Sequence, residues 1–264
     1  GVTFVAKNNI DIAGVSTTAG CPSYAYEPAE SAPAVQRLVE AGATCLGATN
    51  LDQFATGLVG TRSPYGIPRN AIDPQLVPGG SSSGSAVAVA LGIADLGLGT
   101  DTAGSGRVPA AQNRIVGLKP TRGLVPTRGV VPAVRSLDCV SVFARDVATA
   151  AQGLDVMAGF DDADPWSRAG GEPPLVMPVI RVGVPSQVET ASELDAAAWA
   201  SSVDRLASLP FVEIVDVDLD GFVEAGELLY EGPWVAERYA AVGRFLETSP
   251  ADADPTVAGI IAGA

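Results

Sequence analysis

The sequence predicts an α/β protein built on a parallel sheet. Three observations predict it: the chain opens strand, helix, strand; apolar segments of strand length recur between helix-length ones; and 264 residues, 47% apolar and 17% charged, suffice to bury a sizeable core. The opening strand is Gly1 to Ala6 (GVTFVA), followed by a Gly/Ser/Thr/Pro loop, Gly14 to Pro22. An amphipathic helix over Ala34 to Ala41 (AVQRLVEA) is ended by Gly42, and Thr44 to Ala48 reads as a short buried strand. Residues 57–84 are crowded with Gly and Pro, and a breaker-rich stretch of that length inside a compact domain is usually functional. Ser85 to Ile93 (SAVAVALGI) has the composition of a helix buried on all sides, and Leu96 to Thr100 follows as a strand.

A Gly-rich turn, Thr102 to Gly106, precedes a short helical segment near Pro109, and Ile115 to Leu118 forms the next strand. The apolar run Leu137 to Phe143 holds Cys139 as a buried filler. Asp146 to Ala158 is a helix with a carboxylate suited to its N-terminus. Asp161 to Pro178 is polar and Pro/Gly-rich, a surface excursion or subdomain joint. Ile180 to Val184 and Val212 to Val217 read as strands around an Ala-rich helix, Glu193 to Leu209, and Gly226 to Leu246 as a single last helix. No unit of 20–50 residues repeats, so we expect one domain over 1–264.

Composition excludes several classes of function. The net charge of −14 disfavours nucleic acid and anionic membrane as partners, because both select a basic face. Histidine is absent, which removes every His-based triad, His-containing metal site and His general base. Cys21, Cys45 and Cys139 are odd in number and widely spaced, which fits a reducing cytoplasm better than a disulfide framework or a zinc site. No apolar run reaches the roughly 18 residues of a membrane helix, and the N-terminus lacks a signal-peptide pattern. We expect a soluble protein without metal or cofactor, whose numbered chain begins inside a longer one.

The densest chemical signal is Pro78 to Ser85 (PGGSSSGS), then the buried helix, then Gly99 to Arg107 (GTDTAGSGR). One glycine-rich loop is weak evidence, since such strings are often linkers. Two of them, joined by residues too apolar for a linker, belong to one packed unit. Glycines and small hydroxyls there allow close approach of backbone N–H groups to a ligand. No Lys follows GGSSSG, so the P-loop pattern is not met, and the elbow-like Gly80 to Gly84 (GSSSG) lacks the histidine its mechanism requires. A serine hydrolase without histidine remains.

Residues 79–111 (GGSSSGSAVAVALGIADLGLGTDTAGSGRVPAA) resemble the signature block of the amidase signature family, in the order GGSSGGS, Ala-rich helix, GTDTGGSIRIPA. The likeness runs from Phe4 to about Ala150 and continues weakly beyond. It implies a mixed, mostly parallel central sheet covered by helices on both faces, with a core carrying the signature loops over 1–160 and a substrate-covering helical portion over 161–264. It also implies a serine, cis-serine, lysine triad. Ser105 closes GTDTAGS as nucleophile, Ser81 opens the serine loop as bridge, and Lys7 in Ala6-Lys7-Asn8-Asn9 matches the V-K-D-N lysine. A serine needs a base, a lysine serves only when neutral, and burial in FVAK would lower its pKa. The N–H groups of Thr102, Ala103, Gly104 and Ser105 would form the oxyanion hole.

A lone Lys at a strand end is most often a solvated edge residue, a reading that the serine loops displace for Lys7. Asp101 reads as a turn brace rather than an acid, while Arg107 and Arg122 stay open between substrate clamp and surface ion pair. Asn8 stands where the family commonly has Asp, and Ala103-Gly104 where it has Gly-Gly; neither change removes a reacting group.

Within the family, FVAKNNIDIAG, TRSPYGIPRN, GLKPTRGLVPTRGVVPAVRSLDCVSVFA and LLYEGPWVAERY most resemble the allophanate hydrolases. That resemblance implies Tyr230, Arg238 and Gly80 as substrate contacts. Eight residues apart, Tyr230 and Arg238 would share one face of a helix, although a core tyrosine with a surface arginine is the commoner arrangement. The implied partner is a small anionic amide, allophanate, held by a guanidinium and cleaved to N-carboxycarbamate and ammonia in urea catabolism. A C-terminal decarboxylating domain is expected in the longer protein, beyond the point where this chain stops, and a homodimer is left open. The alternatives are a general amidase, a tRNA-dependent amidotransferase subunit, and a catalytically silent domain serving assembly.

Overall fold

The structure is a computed structural model and describes residues 1–171 and 178–264, the side chains of residues 230 and 231 excepted. It divides into two compact units, Gly1–Gly170 with Tyr230–Ala264, and Gly171–Leu229.

The first unit is built on five strands: β1 (Thr3–Lys7), β2 (Thr44–Thr49), β3 (Leu96–Thr100), β4 (Val116–Leu118) and β5 (Val140–Ala144), in the spatial order β2-β1-β3-β5-β4. β1 pairs parallel with β2 and β3, and β5 pairs antiparallel with β3 and β4. Four strands therefore run one way and β5 opposes them, so the sheet is mixed where the opening alone predicted a parallel one. β5 lies inside the apolar run around Cys139. It carries no alternation because all five of its residues are buried, which hides a strand from period-2 reading.

Helices cover both faces. Alternation along the strands sorts the core: Phe4 and Ala6 of β1, Leu98 of β3 and Val142 of β5 pack with Val35 and Leu38 of α1 (Pro33–Glu40) and Met157 of α4 (Val147–Met157). On the other side Val5 meets Ala88 of α2 (Ser83–Ala90), and Phe143 meets Ala86 with Ala110 of α3 (Val108–Gln112). α2 lies unusually close to β3 because β3 reads LGLGT: a Cβ at Gly99 would stand 2.7 Å from both Ser82 Oγ and Phe143. Asp146 caps α4, accepting the Thr149 N–H at 2.8 Å.

The second unit contains β6 (Ile180–Pro185) and β7 (Val212–Val217), paired in parallel around α5 (Glu193–Ala207), as the sequence predicts. Residues 172–177 of the expected excursion lie outside the described residues. The single last helix is instead two, α6 (Asp220–Glu231) and α7 (Trp234–Leu246). The break falls at Gly232–Pro233, where Pro has no N–H for the helical ladder and its ring clashes with the preceding turn. An unforeseen helix, α8 (Pro255–Ala262), follows with Asp254 as its cap. In the first unit α7 and α8 close a second core with Phe54, Cys21 and Val131, and Tyr24 meets Phe54 and Phe245 edge-on at 5.2 and 5.1 Å. Among the described residues no helix is long and apolar enough to cross a membrane.

Leu98 is central to the larger core and fully buried. Leu98→Ala is expected to lower the unfolding free energy by about 2–5 kcal/mol, read as an earlier urea midpoint by circular dichroism.

Candidate active site

β1 has a strand on each side, so its last residue emerges inside the molecule. Lys7 is 0% exposed, and its Nζ donates to Ser81 Oγ and to Thr100 Oγ1, both at 2.7 Å. Burial pushes the amine down to about 7, against the opposing pull of the Asp52, Asp138 and Asp101 carboxylates. The solvated-edge reading of Lys7 is therefore overturned.

The turn bearing Ser81 is held by the segment after β2. The Asp52 N–H donates to Ser81 O at 3.0 Å, and the Asp52 carboxylate accepts the N–H groups of Gly60 and Arg62, each at 2.9 Å. The Gly80–Ser81 peptide is cis. Gly80, expected among the substrate contacts, donates its N–H to Leu58 O at 2.8 Å, and a Cβ there would run into the Asp52 carboxylate. Its N–H is thus engaged within the fold, and the missing side chain lets the two segments meet.

Ser105 sits on the loop after β3. Asp101 braces that loop, accepting the Gly104 N–H at 2.7 Å, the Gly106 N–H at 3.1 Å and the Arg107 guanidinium at 2.9 and 3.0 Å. Burial alone would raise the Asp101 carboxyl, but Arg107 and the two N–H groups hold it below the ordinary carboxylate range. Arg107 is thus an ion-pair partner, and Arg122 donates to Ser136 O at 2.5 Å. The expected oxyanion donors need one correction: the Gly104 N–H is already bonded to Asp101, whereas those of Thr102, Ala103 and Ser105 have no acceptor among the described residues.

The two serine loops touch, with the Ser82 N–H donating to Ser105 O at 3.4 Å. The structure thus brings Lys7 and Ser81 into a hydrogen bond and lays the Ser105 loop against them. The Ser105 hydroxyl itself has no hydrogen-bond partner among the described residues, so the Ser81 to Ser105 link is open in this state.

Arg238 is 3% exposed and donates to Thr56 Oγ1 at 3.0 Å, which removes the surface-arginine alternative. The shared-helix premise for Tyr230 and Arg238 fails, because the chain breaks between α6 and α7; the Tyr230 side chain lies outside the described residues. Asn8 braces the next loop, with Oδ1 accepting the Thr18 N–H and hydroxyl at 2.7 and 2.6 Å. Cys139 is buried beside Lys119, and burial raises its thiol.

Sequence reading missed Thr100, Asp52 and Asp138. Thr100 could have been found, because it stands inside the GTDT string and two residues before Thr102. Asp52 and Asp138 are single carboxylates outside both glycine loops, and no spacing marks them.

The Amidase family model matches residues 1–261, and the chain belongs to that family. Among curated proteins it is 46% identical to the urea amidolyase of Saccharomyces cerevisiae, covering 100% of this chain and 15% of that protein. Kluyveromyces lactis allophanate hydrolase superposes with a TM-score of 0.96 at 46% identity, over 100% of this chain and 44% of that one. The peptide amidase of Stenotrophomonas maltophilia superposes at 0.79 with 34% identity, over 94% of this chain and 53% of that one. The chain thus spans less than half of the urea amidolyase and allophanate hydrolase chains it matches.

A lysine neutral near pH 7 when folded and protonated up to about 10.5 when unfolded makes the unfolded state bind more protons between those values. Stability from this group is therefore expected to rise with pH across that window. Lys7→Met lacks the effect, so the urea midpoint of the parent should rise relative to that of the variant from pH 7 to pH 10.

Proposed function

We propose that this chain is the amide-cleaving part of an allophanate hydrolase, with Ser105 as nucleophile, Ser81 as proton relay and Lys7 as base. The observation that carries the reading is the buried Lys7 amine, lowered to about 7 and hydrogen-bonded to Ser81, in a chain with no histidine. When Lys7 is neutral its lone pair accepts the Ser81 proton, and Ser81 takes that of Ser105, whose hydroxyl turns onto Ser81 as substrate enters. Ser105 Oγ attacks the terminal amide carbonyl of allophanate, and the N–H groups of Thr102, Ala103 and Ser105 stabilise the oxyanion. The C–N bond breaks as the relay returns a proton to the leaving nitrogen, releasing ammonia. Water then cleaves the acyl-enzyme by the same relay to N-carboxycarbamate.

Arg238, buried in the first unit, supplies a guanidinium for the substrate carboxylate, and Tyr230 is proposed as a second substrate contact. Decarboxylation of the product is assigned to a further part of a longer protein, in keeping with the 15% of the urea amidolyase that the chain spans. The free thiols of Cys21, Cys45 and Cys139 accord with a reducing compartment.

Ammonia release from allophanate tests the relay. Ser105→Ala is expected to lower it by a factor of about 10³ or more with the fold intact. Lys7→Arg, which cannot deprotonate, should do the same. Because the neutral amine is the active form, kcat/KM of the parent should rise with pH through about 7. A rate flat from pH 6 to 9, or an active Arg variant, counts against Lys7 as base.

Arg238→Gln is expected to cost about 2–4 kcal/mol of transition-state stabilisation for allophanate and much less for uncharged amides of similar size. Equal losses on both would move the assignment to a general amidase.

A further inference from the structure

Asp138 closes the loop 133–138 that leads into β5, and it is 4% exposed. Its carboxylate gathers donors from two segments. Oδ1 accepts the Thr102 hydroxyl at 2.5 Å and the Val134 N–H at 3.2 Å, and Oδ2 accepts the Ala133 N–H at 3.0 Å. The two backbone donors close the Asp138 loop on itself, and the hydroxyl bond reaches the neighbouring segment. Thr102 opens the turn whose N–H groups at 102, 103 and 105 have no acceptor among the described residues. The far side of the 133–138 loop is anchored by α7, where Glu237 accepts the Ser136 N–H at 2.9 Å and its hydroxyl at 2.6 Å.

We propose that Asp138 is a positioning residue for the amide reaction: its carboxylate pins the Thr102 turn to the α7-anchored loop and fixes a negative charge facing Lys7 and Arg238. The kinetic arm of this inference rests on the amidase reading above; the geometric arm does not.

The charges around Lys7 come from each strand end that surrounds it: Asp52 after β2, Asp101 after β3 and Asp138 before β5. Asp101 is matched by Arg107, and Arg238 faces Asp138. Burial pushes the Asp138 carboxyl up, opposed by the Thr102 hydroxyl, the Val134 and Ala133 N–H groups and Arg238. Backbone N–H groups can only donate, so both oxygens act as acceptors and the arrangement suits the ionised form.

The chain has two lysines, Lys7 and Lys119, so NMR of the protein labelled with ε-¹³C lysine reads Lys7 without overlap. In the parent Lys7 should titrate near 7. In Asp138→Asn, loss of a facing negative charge disfavours the ammonium, and the midpoint should fall by about half a pH unit or more. Thr102→Val keeps that charge, so Lys7 should titrate as in the parent while kcat drops about ten- to a hundredfold at unchanged KM. Thr102→Ser restores the hydroxyl and should recover most of kcat. An unmoved Lys7 midpoint in Asp138→Asn overturns the inference, as do equal rates in the Val and Ser variants. If Asp138→Asn fails to fold, the Thr102 pair decides. If the parent cleaves no amide, the functional reading falls, and the Lys7 titration still decides the role of Asp138.

Discussion

An amine sealed from water is the constraint around which this molecule is organised. Removing an ammonium from solvent costs several kcal/mol unless it is compensated or deprotonated. Burial alone can lower a lysine by about 3–5 pH units. Here three carboxylates on three segments pull the other way, and the balance rests at about 7. A fully compensated Lys7 would stay charged and could not act as the proposed base. The fold produces the compromise, because β1 is an interior strand and its terminal side chain ends between the Ser81 turn and Thr100 at the end of β3.

The serine-rich loop is chiefly an adhesive between a helix and a strand. Ser82 Oγ bonds both the Thr100 N–H and the Thr100 carbonyl, at 3.3 and 3.2 Å, and Ser85 Oγ bonds Leu98 O at 2.8 Å and the Thr49 hydroxyl at 2.7 Å. Ser81, one position earlier, bonds Lys7. Glycines in β3 make the contact possible, since the first side-chain carbon at Gly99 would collide with Ser82. Hydroxyls of one residue type thus divide between holding the layers together and meeting the amine, according to where each stands relative to the start of α2.

Much of this was legible beforehand, for identifiable reasons. β3 and β7 match their sequence-derived spans residue for residue, because Gly and Asp residues punctuate them. Ordered motifs singled out Lys7, Ser81 and Ser105, and the structure joins the first two by a hydrogen bond. What escaped reading depends on tertiary context. β5 is uniformly buried, the break at Gly232–Pro233 was bridged by periodicity on either side, and α8 is a short helix known by its Asp254 cap. The Gly104 N–H was counted with the free donors although Asp101, read as a turn brace, stands three residues before it; which N–H the brace takes is set by how the turn folds. Asp138 stood unnoticed in the apolar run, since its importance lies in a hydroxyl 36 residues away.

The position of α2 has an electrical consequence. The helix begins at Ser83, two residues after Ser81, and its first turn is engaged with neighbouring segments, the Gly84 N–H donating to Asn50 O at 3.0 Å and the Ser82 N–H to Ser105 O at 3.4 Å, so the positive end of its aligned peptide dipoles stands next to Ser81. That end carries the equivalent of about half a positive charge and acts most strongly within the first turn. Its field disfavours a proton on Lys7 and favours negative charge developing on a serine oxygen. Desolvation and backbone polarity therefore act in the same sense, and the helix that glues the layers together also tilts the proton equilibrium of the site.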